Sequence, residues 1–403
     1  MGPLRGLVAV TVLALVTVVA GCVPSVAPSP TAEPSRSSVA PAPTPSPIAD
    51  VDPTAALSLE QKVGQLFMVG TDVQSASPAT ITAITDRHAG SIFLHGRTTA
   101  GADAVAALVG QFTALAPAST ARGNAPDGSG PTGGVRLWVA TDQEGGEVQV
   151  LRGPGFSDMP YAIRQADLPA DQLQAQATQW GAELAAAGVD MNLAPVADIV
   201  TSHDARFSNP PIGALGRQYG YDAPTVEAGA GAFAAGMRAS GILPVFKHFP
   251  GLGHVTANTD TTANVHDATV AADGPDVGVY RPLTAAGASA VMVSTAIYDN
   301  IDASAPAVFS PRVVSLVRSD VGFDGVIMSD DLSAAAAAQA WAPGDRAVLA
   351  VTAGVDLVLV SADPTVYAAM YDAVLAKAQN DPAFAARVDE AAARVVTAKL
   401  ARP

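Results

Sequence analysis

Cysteine and positive charge are scarce in this sequence. The chain of 403 residues contains one cysteine, Cys22, so no intramolecular disulfide can form. Its 22 Lys and Arg residues are outnumbered by 37 Asp and Glu residues, which gives a net charge of −15. Because nucleic acids require a basic protein face, we expect no nucleic-acid partner. Only 15% of the residues are charged and 49% are hydrophobic, which favours a large buried core.

Several signatures of nucleophile and cofactor sites are also missing. No Gly-x-Ser-x-Gly motif occurs, and no Gly-x-Gly-x-x-Gly motif follows the first apolar segment of the expected domain. The six histidines are scattered and lack the spacing of metal ligands. We therefore expect neither a cofactor nor a metal site.

The first 54 residues do not have the composition of a folded domain. Arg5 precedes an apolar run at 7–20, which is followed by Gly21 and Cys22. Residues 1–22 resemble a bacterial lipoprotein signal with its lipobox, which implies cleavage before Cys22 and lipidation of its thiol. A plain secretory signal with an incidental cysteine is the alternative. Residues 23–54, rich in Pro, Ser and Ala, predict a disordered tether, and the folded domain is expected at 55–403.

Eight short apolar segments occur along the expected domain. They lie at 66–69, 90–94, 135–141, 189–193, 242–246, 288–293, 325–328 and 355–360. Segments with the pattern of amphipathic helices alternate with most of them, the first beginning after the N-cap candidate Ser58. This alternation predicts an α/β fold, a (β/α)8 TIM-type barrel forming a single catalytic domain. An open, doubly wound sheet is the alternative.

Five polar residues follow four of these segments, at or near the point where each segment ends. They are Asp142, Asp198, Lys247, His248 and Asp330. Because the carboxyl ends of barrel strands meet at one rim, we expect most of these side chains to line an active site. A carboxylate at such a strand end can act as a nucleophile or as a general acid. Carboxylates with Lys, His and Arg donors also suit a carbohydrate pocket, although these residue types alone do not select sugars over other substrates.

Five motifs carry a resemblance to a known family. They are Lys62-Val-Gly-Gln65, Asp142-Gln-Glu-Gly-Gly146, Asn192-Leu-Ala-Pro-Val-Ala-Asp198, Lys247-His-Phe-Pro-Gly-Leu-Gly253 and Gly322-Phe-Asp-Gly-Val-Ile-Met-Ser-Asp-Asp-Leu332. With them the sequence resembles glycoside hydrolase family 3, and within it the bacterial exo-acting β-N-acetylglucosaminidases, over nearly all of residues 57–400.

The resemblance implies roles for several residues. Asp330 matches the nucleophile that forms a covalent glycosyl-enzyme with retention of configuration. Asp142 matches a residue that accepts hydrogen bonds from sugar hydroxyls, and Lys247 and His248 match donors to the same sugar.

Two arginines are further candidates for binding the sugar. Arg217 matches an arginine that the family uses for this purpose, and Arg152 is a candidate because it follows the Asp142 motif. Glu144 and Asp198 are expected to support these residues and not to react. Asp331 is expected to make structural hydrogen bonds, because adjacent residues of a strand point to opposite faces.

The sequence departs from the family at the acid/base. The family usually continues its Lys-His-Phe-Pro-Gly loop to an Asp-Ser/Thr-His triplet, whose histidine is the general acid/base. Here the same spacing gives Asn258-Thr259-Asp260. Three interpretations stay open: Asp260 replaces the histidine, His254 swings in from the loop, or the protein cleaves poorly and binds glycans.

The expected protein is an exported, lipid-anchored enzyme facing the cell wall. The resemblance implies a retaining exo-β-N-acetylglucosaminidase that acts on peptidoglycan-derived glycans with a terminal β-linked N-acetylglucosamine. The alternatives are another β-glycosidase (a glucosidase or xylosidase), a phosphorolytic variant, or a weakly catalytic glycan-binding lipoprotein. The membrane is expected as a second partner, through the lipid on Cys22.

Overall fold

A computed structural model describes residues 52–120 and 125–401. The signal segment 1–22 with Cys22, and residues 23–51 of the expected tether, lie outside the described residues. Thr54, expected at the end of the tether, is buried and forms part of a turn with Asp52. Within the described ranges, no helix has the length and apolar character needed to cross a membrane.

Twelve strands occur in the described part of the chain. They are β1 (Phe67–Asp72), β2 (Ser91–His95), β3 (Trp138–Thr141), β4 (Gln143–Gly145), β5 (Val148–Gln149), β6 (Met191–Asn192), β7 (Leu243–Phe249), β8 (His266–Asp267), β9 (Ala290–Val293), β10 (Ile297–Tyr298), β11 (Val326–Asp331) and β12 (Leu357–Val360). Eight of them close a parallel barrel in the order β1-β12-β11-β9-β7-β6-β3-β2. These eight fall on the eight apolar segments, so the predicted (β/α)8 barrel is confirmed and the open sheet is wrong.

Twelve α-helices accompany the strands within the same described residues. They are α1 (Leu59–Gln65), α2 (Pro78–Arg87), α3 (Ala102–Thr113), α4 (Ala162–Gln165), α5 (Ala170–Ala186), α6 (Ala223–Ala239), α7 (Pro275–Gly278), α8 (Tyr280–Ala285), α9 (Pro311–Ser319), α10 (Pro343–Ala353), α11 (Tyr367–Asn380) and α12 (Pro382–Leu400). The predicted N-cap of α1 is confirmed, because the Ser58 hydroxyl accepts from the Gln61 amide at 3.2 Å and the Gln61 side chain accepts from the Ser58 amide at 3.0 Å. This reciprocal pair satisfies two amides that a helix start leaves free.

The barrel strands are apolar on both faces because each face is covered. One face fills the barrel interior with residues such as Trp138, Met191, Val245 and Met328, all fully buried. The other packs against the surrounding helices. Such burial explains why the strands appear in the sequence as continuous apolar runs and not as alternating ones.

Strand β7 runs three residues farther than the apolar segment that predicted it. Its pairing with β9 shifts register between Phe246 and Phe249. In a regular strand, neighbours such as Lys247 and His248 would point to opposite faces, whereas an irregularity of this kind re-aims side chains. Both residues line the same cavity at the carboxyl rim. The local break in pairing therefore brings two polar donors to one site.

Candidate active site

The carboxyl ends of the barrel strands surround a cavity of about 340 Å³. Six residues proposed from the sequence line it: Asp142, Arg217, Lys247, His248, Asp260 and Asp330. Its volume is near the lower end of the range for small-molecule pockets, as suits a compact ligand. The strand-end residues thus converge on one rim, as their positions predicted.

A row of alternating charges forms one wall of the cavity. The Lys247 Nζ donates to Asp142 Oδ1 at 2.7 Å and lies 2.7 Å from Glu144 Oε1. The Arg217 guanidinium donates twice to Glu144, from Nε at 2.8 Å and from Nη2 at 2.7 Å. Glu144 therefore joins the two cations, and it fixes the position of both with respect to Asp142.

The protonation states of this row follow from its contacts. Burial alone would raise the pKa of Glu144, but the charges of Arg217 and Lys247 outweigh burial and lower that pKa to about 2. Burial would likewise lower the pKa of Lys247, yet Asp142 and Glu144 raise it above its usual value. The lysine thus stays a cation and the glutamate an anion. This supporting role of Glu144 agrees with the sequence-based expectation.

His248 is held by a buried carboxylate. Its Nδ1 lies 2.7 Å from Asp198 Oδ2, and Asp198 Oδ1 accepts from the main-chain amides of His248 at 3.1 Å and Leu252 at 2.7 Å. Burial opposes ionisation of Asp198, but His248 and these amides hold the pKa of its carboxyl below its usual value. Asp198 therefore orients the imidazole, whose other nitrogen is left for a ligand.

Asp330 is the half-buried carboxyl at the end of β11. Its Oδ1 accepts from the amide of Asp331 at 2.8 Å. Burial raises the pKa of Asp330 to about 6; the charge of Asp260 adds to the rise, whereas His248 and Lys247 oppose it. A carboxyl with this pKa is mainly ionised at neutral pH and is therefore able to act as a nucleophile there.

The carboxylate of Asp331 accepts hydrogen bonds from neighbouring main-chain amides and a hydroxyl. It accepts from the amides of Ser333, Ala334 and Ser361 and from the Ser333 hydroxyl. The structural hydrogen bonds expected of Asp331 are present, although Asp331 is also among the residues that line the cavity.

The loop that carries Asp260 is joined to the loop after β11. The amide of Ala336 donates to the Asp260 carbonyl at 3.0 Å, and the amide of Ala337 donates to the Thr259 carbonyl at 3.1 Å. Asp260 is exposed at the mouth of the cavity, and its charge acts on Asp330. Main-chain bonds thus hold the Asp260 loop to the loop that follows the strand of Asp330.

His254 and Arg152, both proposed from the sequence, are not brought to the cavity. The His254 Nε2 lies 3.0 Å from Asp276 Oδ1, and this contact raises the pKa of His254. Arg152 donates to the Asp158 carboxylate at 2.9 Å and to the Gly146 carbonyl at 2.7 Å. Neither is among the lining residues, so the arrangement gives no support to either as a ligand of the cavity.

Other lining residues were not singled out from the sequence. The apolar ones include Phe93, Leu193, Met292 and Leu359, and Pro211 belongs to the loop before Arg217. Phe93, Met292 and Leu359 belong to barrel strands, and Leu193 directly follows one. Their positions on or beside these strands could therefore have identified them as lining residues. Among the described residues, no group of three or more His, Cys, Asp or Glu is placed to hold a metal ion.

The arrangement combines a carboxyl that ionises near pH 6 with neighbouring fixed donors and acceptors. Asp142, Lys247, Arg217 and His248 offer both signs of charge to a polar ligand within one small space. Alternating donors and acceptors suit a ligand that carries several hydroxyl groups, since each hydroxyl both donates and accepts.

Comparisons with known proteins agree on one family. The sequence model described as the glycosyl hydrolase family 3 N terminal domain matches residues 58–398. The chain is 33% identical over 316 residues to the β-hexosaminidase LpqI of Mycobacterium tuberculosis, which covers 76% of this chain and 74% of that one.

Solved structures are similar as well. The crystal structure of a β-N-acetylhexosaminidase from Beutenbergia cavernae has 58% identity and a TM-score of 0.81, covering 85% of this chain and 98% of that one. A family 3 β-N-acetylglucosaminidase from a Paenibacillus species has 31% identity and a TM-score of 0.74, covering 85% of this chain and 62% of that one.

Proposed function

Because the chain belongs to glycosyl hydrolase family 3 and is a glycoside hydrolase, we propose that it is a retaining exo-β-N-acetylglucosaminidase with Asp330 as its nucleophile. One observation carries the proposal. The Asp330 carboxyl faces a small cavity in which every other charged group is already fixed by a partner or lies at the mouth.

The proposed reaction has two steps. In the first, an ionised Asp330 oxygen bonds to the anomeric carbon, the glycosidic bond breaks, and the leaving oxygen takes a proton from an acid. In the second, the acid of the first step, now deprotonated, acts as a base and removes a proton from water. The water oxygen then bonds to the anomeric carbon, and the bond from that carbon to Asp330 breaks. Asp142, Lys247, Arg217 and His248 bind the sugar hydroxyls, so their contacts orient the anomeric carbon towards Asp330.

Asp260 is the proposed acid/base. It lines the same cavity as Asp330, and its charge reaches that carboxyl. His254 is a weaker candidate because Asp276 already holds its Nε2 and because it does not line the cavity. A carboxyl in this role would resemble the pairs of carboxyls that most glycosidases use.

Replacing the nucleophile tests the main proposal. The Asp330→Asn substitution is expected to reduce turnover of an aryl N-acetyl-β-glucosaminide by about 10³-fold or more, since an amide cannot form the glycosyl ester. Rates of aryl release measure this, with Asp171→Asn on the exposed face of α5 as the matched control. Near-normal activity in the Asp330 variant would remove Asp330 from the nucleophile role.

Leaving-group dependence tests Asp260. The Asp260→Ala substitution is expected to slow substrates with poor leaving groups far more than activated aryl glycosides, because only the former require a proton at bond cleavage. Measured kcat/KM values across aryl leaving groups of increasing pKa should therefore fall more steeply for the variant than for the wild type. Equal slowing of all substrates would contradict the assignment.

The sugar is proposed from the relatives, and its source from the family resemblance of the sequence. Two similar solved structures are described as a β-N-acetylhexosaminidase and a β-N-acetylglucosaminidase, which supports N-acetylglucosamine in the cavity, and we place its source in cell-wall glycans. Aryl β-glycosides of N-acetylglucosamine, glucose and xylose, assayed with and without phosphate, separate the alternatives. Faster cleavage of the glucoside or xyloside would contradict the sugar assignment, and a rate that depends on phosphate would indicate phosphorolysis.

Export and a lipid anchor on Cys22 complete the proposal. The residues 1–22 support it by their resemblance to a lipoprotein signal. The full chain, expressed in a bacterial host, is expected in the membrane fraction, and Cys22→Ser is expected to release it. An unchanged distribution would exclude the anchor without affecting the proposed chemistry.

A further inference from the structure

Gln165, the last residue of α4, is a fully buried amide behind the charged wall of the cavity. Its Nε2 donates to the carbonyls of Glu144 at 2.7 Å and of Pro160 at 2.8 Å. Its Oε1 accepts from the Tyr219 hydroxyl at 2.9 Å. Both N–H groups of the amide are therefore used, and the side chain joins three separate stretches of the chain.

The partners of Gln165 determine which way its amide points. Burial and the charge of Glu144 raise the pKa of Tyr219 well above its usual value, so the hydroxyl keeps its proton and can donate it to the amide oxygen. The reverse orientation would bring the amide oxygen against two carbonyl oxygens with no proton between them, which is costly in a buried place. The side chain thus has one favourable arrangement.

Two glycines leave the space that Gln165 and Tyr219 occupy. A Cβ added to Gly145 would lie 2.8 Å from the Gln165 Nε2, and one added to Gly229 of α6 would lie 2.6 Å from Cδ1 of the Tyr219 ring. A close-packed interior cannot accommodate either contact without moving these side chains. The packing therefore fixes both partners as closely as their hydrogen bond does.

Gln165 connects the two segments that supply Glu144 and Arg217 to the cavity wall. Glu144 lies in β4, and Tyr219 follows Arg217 by two residues. On the cavity side the same segments are joined by the guanidinium of Arg217 and the carboxylate of Glu144. A ligand hydroxyl that accepts from the guanidinium competes with that carboxylate. Gln165 does not line the cavity, so its bonds persist when a ligand binds.

We propose that Gln165 is a positioning residue of the reaction, and that it holds Arg217 in place through Tyr219. The side chain of Gln165 and the Tyr219 hydroxyl are called the brace below. The inference rests on the proposed function, in which Arg217 binds a sugar hydroxyl. A guanidinium that is displaced by a fraction of an ångström keeps its charge but meets that hydroxyl poorly, so the sugar is aligned less well with Asp330.

A double-mutant cycle tests the brace. Tyr219→Phe removes only the hydroxyl, and it is expected to lower kcat/KM for an aryl N-acetyl-β-glucosaminide about tenfold. In an Arg217→Ala background the same substitution is expected to change kcat/KM less than about twofold, because the guanidinium that the brace positions is gone. Equal losses in the two backgrounds, or no loss in the otherwise wild-type protein, would overturn the inference.

Tyr367→Phe is the matched control. Tyr367 is buried as Tyr219 is, its hydroxyl donates to the Arg87 carbonyl at 2.7 Å, and it does not line the cavity. This substitution should lower the midpoint of chemical denaturation about as much as Tyr219→Phe does, yet leave kcat/KM unchanged. A similar loss of activity in both variants would assign the effect to general destabilisation and would exclude a positioning role.

A measurement without turnover separates this inference from the proposed function. If the wild type prefers another aryl glycoside, the same cycle is run on that substrate; if it cleaves none, the proposed function fails and the brace is tested by NMR. The Nε–H resonance of Arg217 in arginine-labelled protein, assigned by its absence in Arg217→Lys, is expected to shift in Tyr219→Phe but not in Tyr367→Phe. An unshifted resonance in Tyr219→Phe would show that the brace does not position Arg217.

Discussion

Glu144 and Asp356 are both buried carboxylates that hold several cations, at opposite ends of the barrel. Glu144 follows β3 at the carboxyl rim and binds Arg217 and Lys247, which in turn line the cavity. Asp356 precedes β12 at the other rim, where arginine side chains such as Arg318 pair with it. The two clusters are similar in composition, and they differ in that Arg217 and Lys247 line the cavity together with Asp330.

The cluster around Asp356, here called the lower cluster, joins the last helix to the barrel. Asp356, fully buried, accepts from Arg318 Nη2 and from Arg387 Nη2, each at 2.6 Å, and from the amide of Ile327 at 3.0 Å. Arg394 of α12 lies 3.5 Å from it. The lower cluster thus links α12 to the barrel, whereas the cluster around Glu144 belongs to the candidate site because its cations line the cavity beside Asp330.

The largest expected effect is on stability, at the lower cluster around Asp356. Asp356→Ala should lower the free energy of unfolding by about 3–5 kcal/mol, because it leaves several arginines without their partner in a buried position. Chemical denaturation measures this. Asp389→Ala is the matched control on α12, since Asp389 pairs with Lys62 at the surface and should cost about 0.5 kcal/mol.

Folded Asp356→Ala protein should keep its affinity for N-acetylglucosamine. A loss of stability no greater than that of the Asp389 variant would contradict the role given to the lower cluster.

Changes in the cluster around Glu144 should alter mainly the activity. Glu144→Gln keeps the shape of the side chain but removes the charge that fixes Arg217 and Lys247, so kcat/KM should fall by about 10²-fold. Steady-state kinetics on an aryl glycoside measure this, and Glu147→Gln, an exposed glutamate three residues away, is the control. If the Glu144 variant unfolds as readily as Asp356→Ala yet retains its kcat/KM, the contrast between the clusters is wrong.

The smallest expected effect is a shift in pH dependence. As the proposed nucleophile, Asp330 must be ionised to react, so kcat/KM for an activated aryl glycoside should fall as the pH drops below about 6. Because the negative charge of Asp260 helps to raise the pKa of Asp330, Asp260→Asn should move this acid limb to lower pH. Profiles of kcat/KM against pH record the shift, and a limb that stays in place or moves upward would show that the two carboxyls do not interact.

Much of the fold could be predicted from the sequence because the barrel strands are covered on both faces. Each one is a run of apolar residues bounded by Gly or polar residues, and that pattern is local. Helix α2 was not predicted, because its buried positions are Thr80, Ala83 and Ile84, which give a weak apolar stripe. The β4–β5 hairpin was missed for a similar reason, since three- and two-residue strands carry no periodicity.

Those residues of the candidate site whose positions are determined by the ends of barrel strands could be predicted from the sequence. Asp142, Lys247 and Asp330 lie at or next to the ends of barrel strands, so topology alone brings them together. Arg152 is close to the Asp142 motif in sequence, yet its side chain pairs with Asp158 and turns away, since distance along a loop does not determine direction.

The bonds between the Asp260 loop and the loop after β11 have a consequence for evolution and engineering. They use only main-chain carbonyls of Thr259 and Asp260 and main-chain amides of Ala336 and Ala337. A lineage can therefore exchange the side chain at position 260 while the backbone that presents it remains in place. The same property makes this position a natural place to install a different proton donor and compare the chemistries on one scaffold.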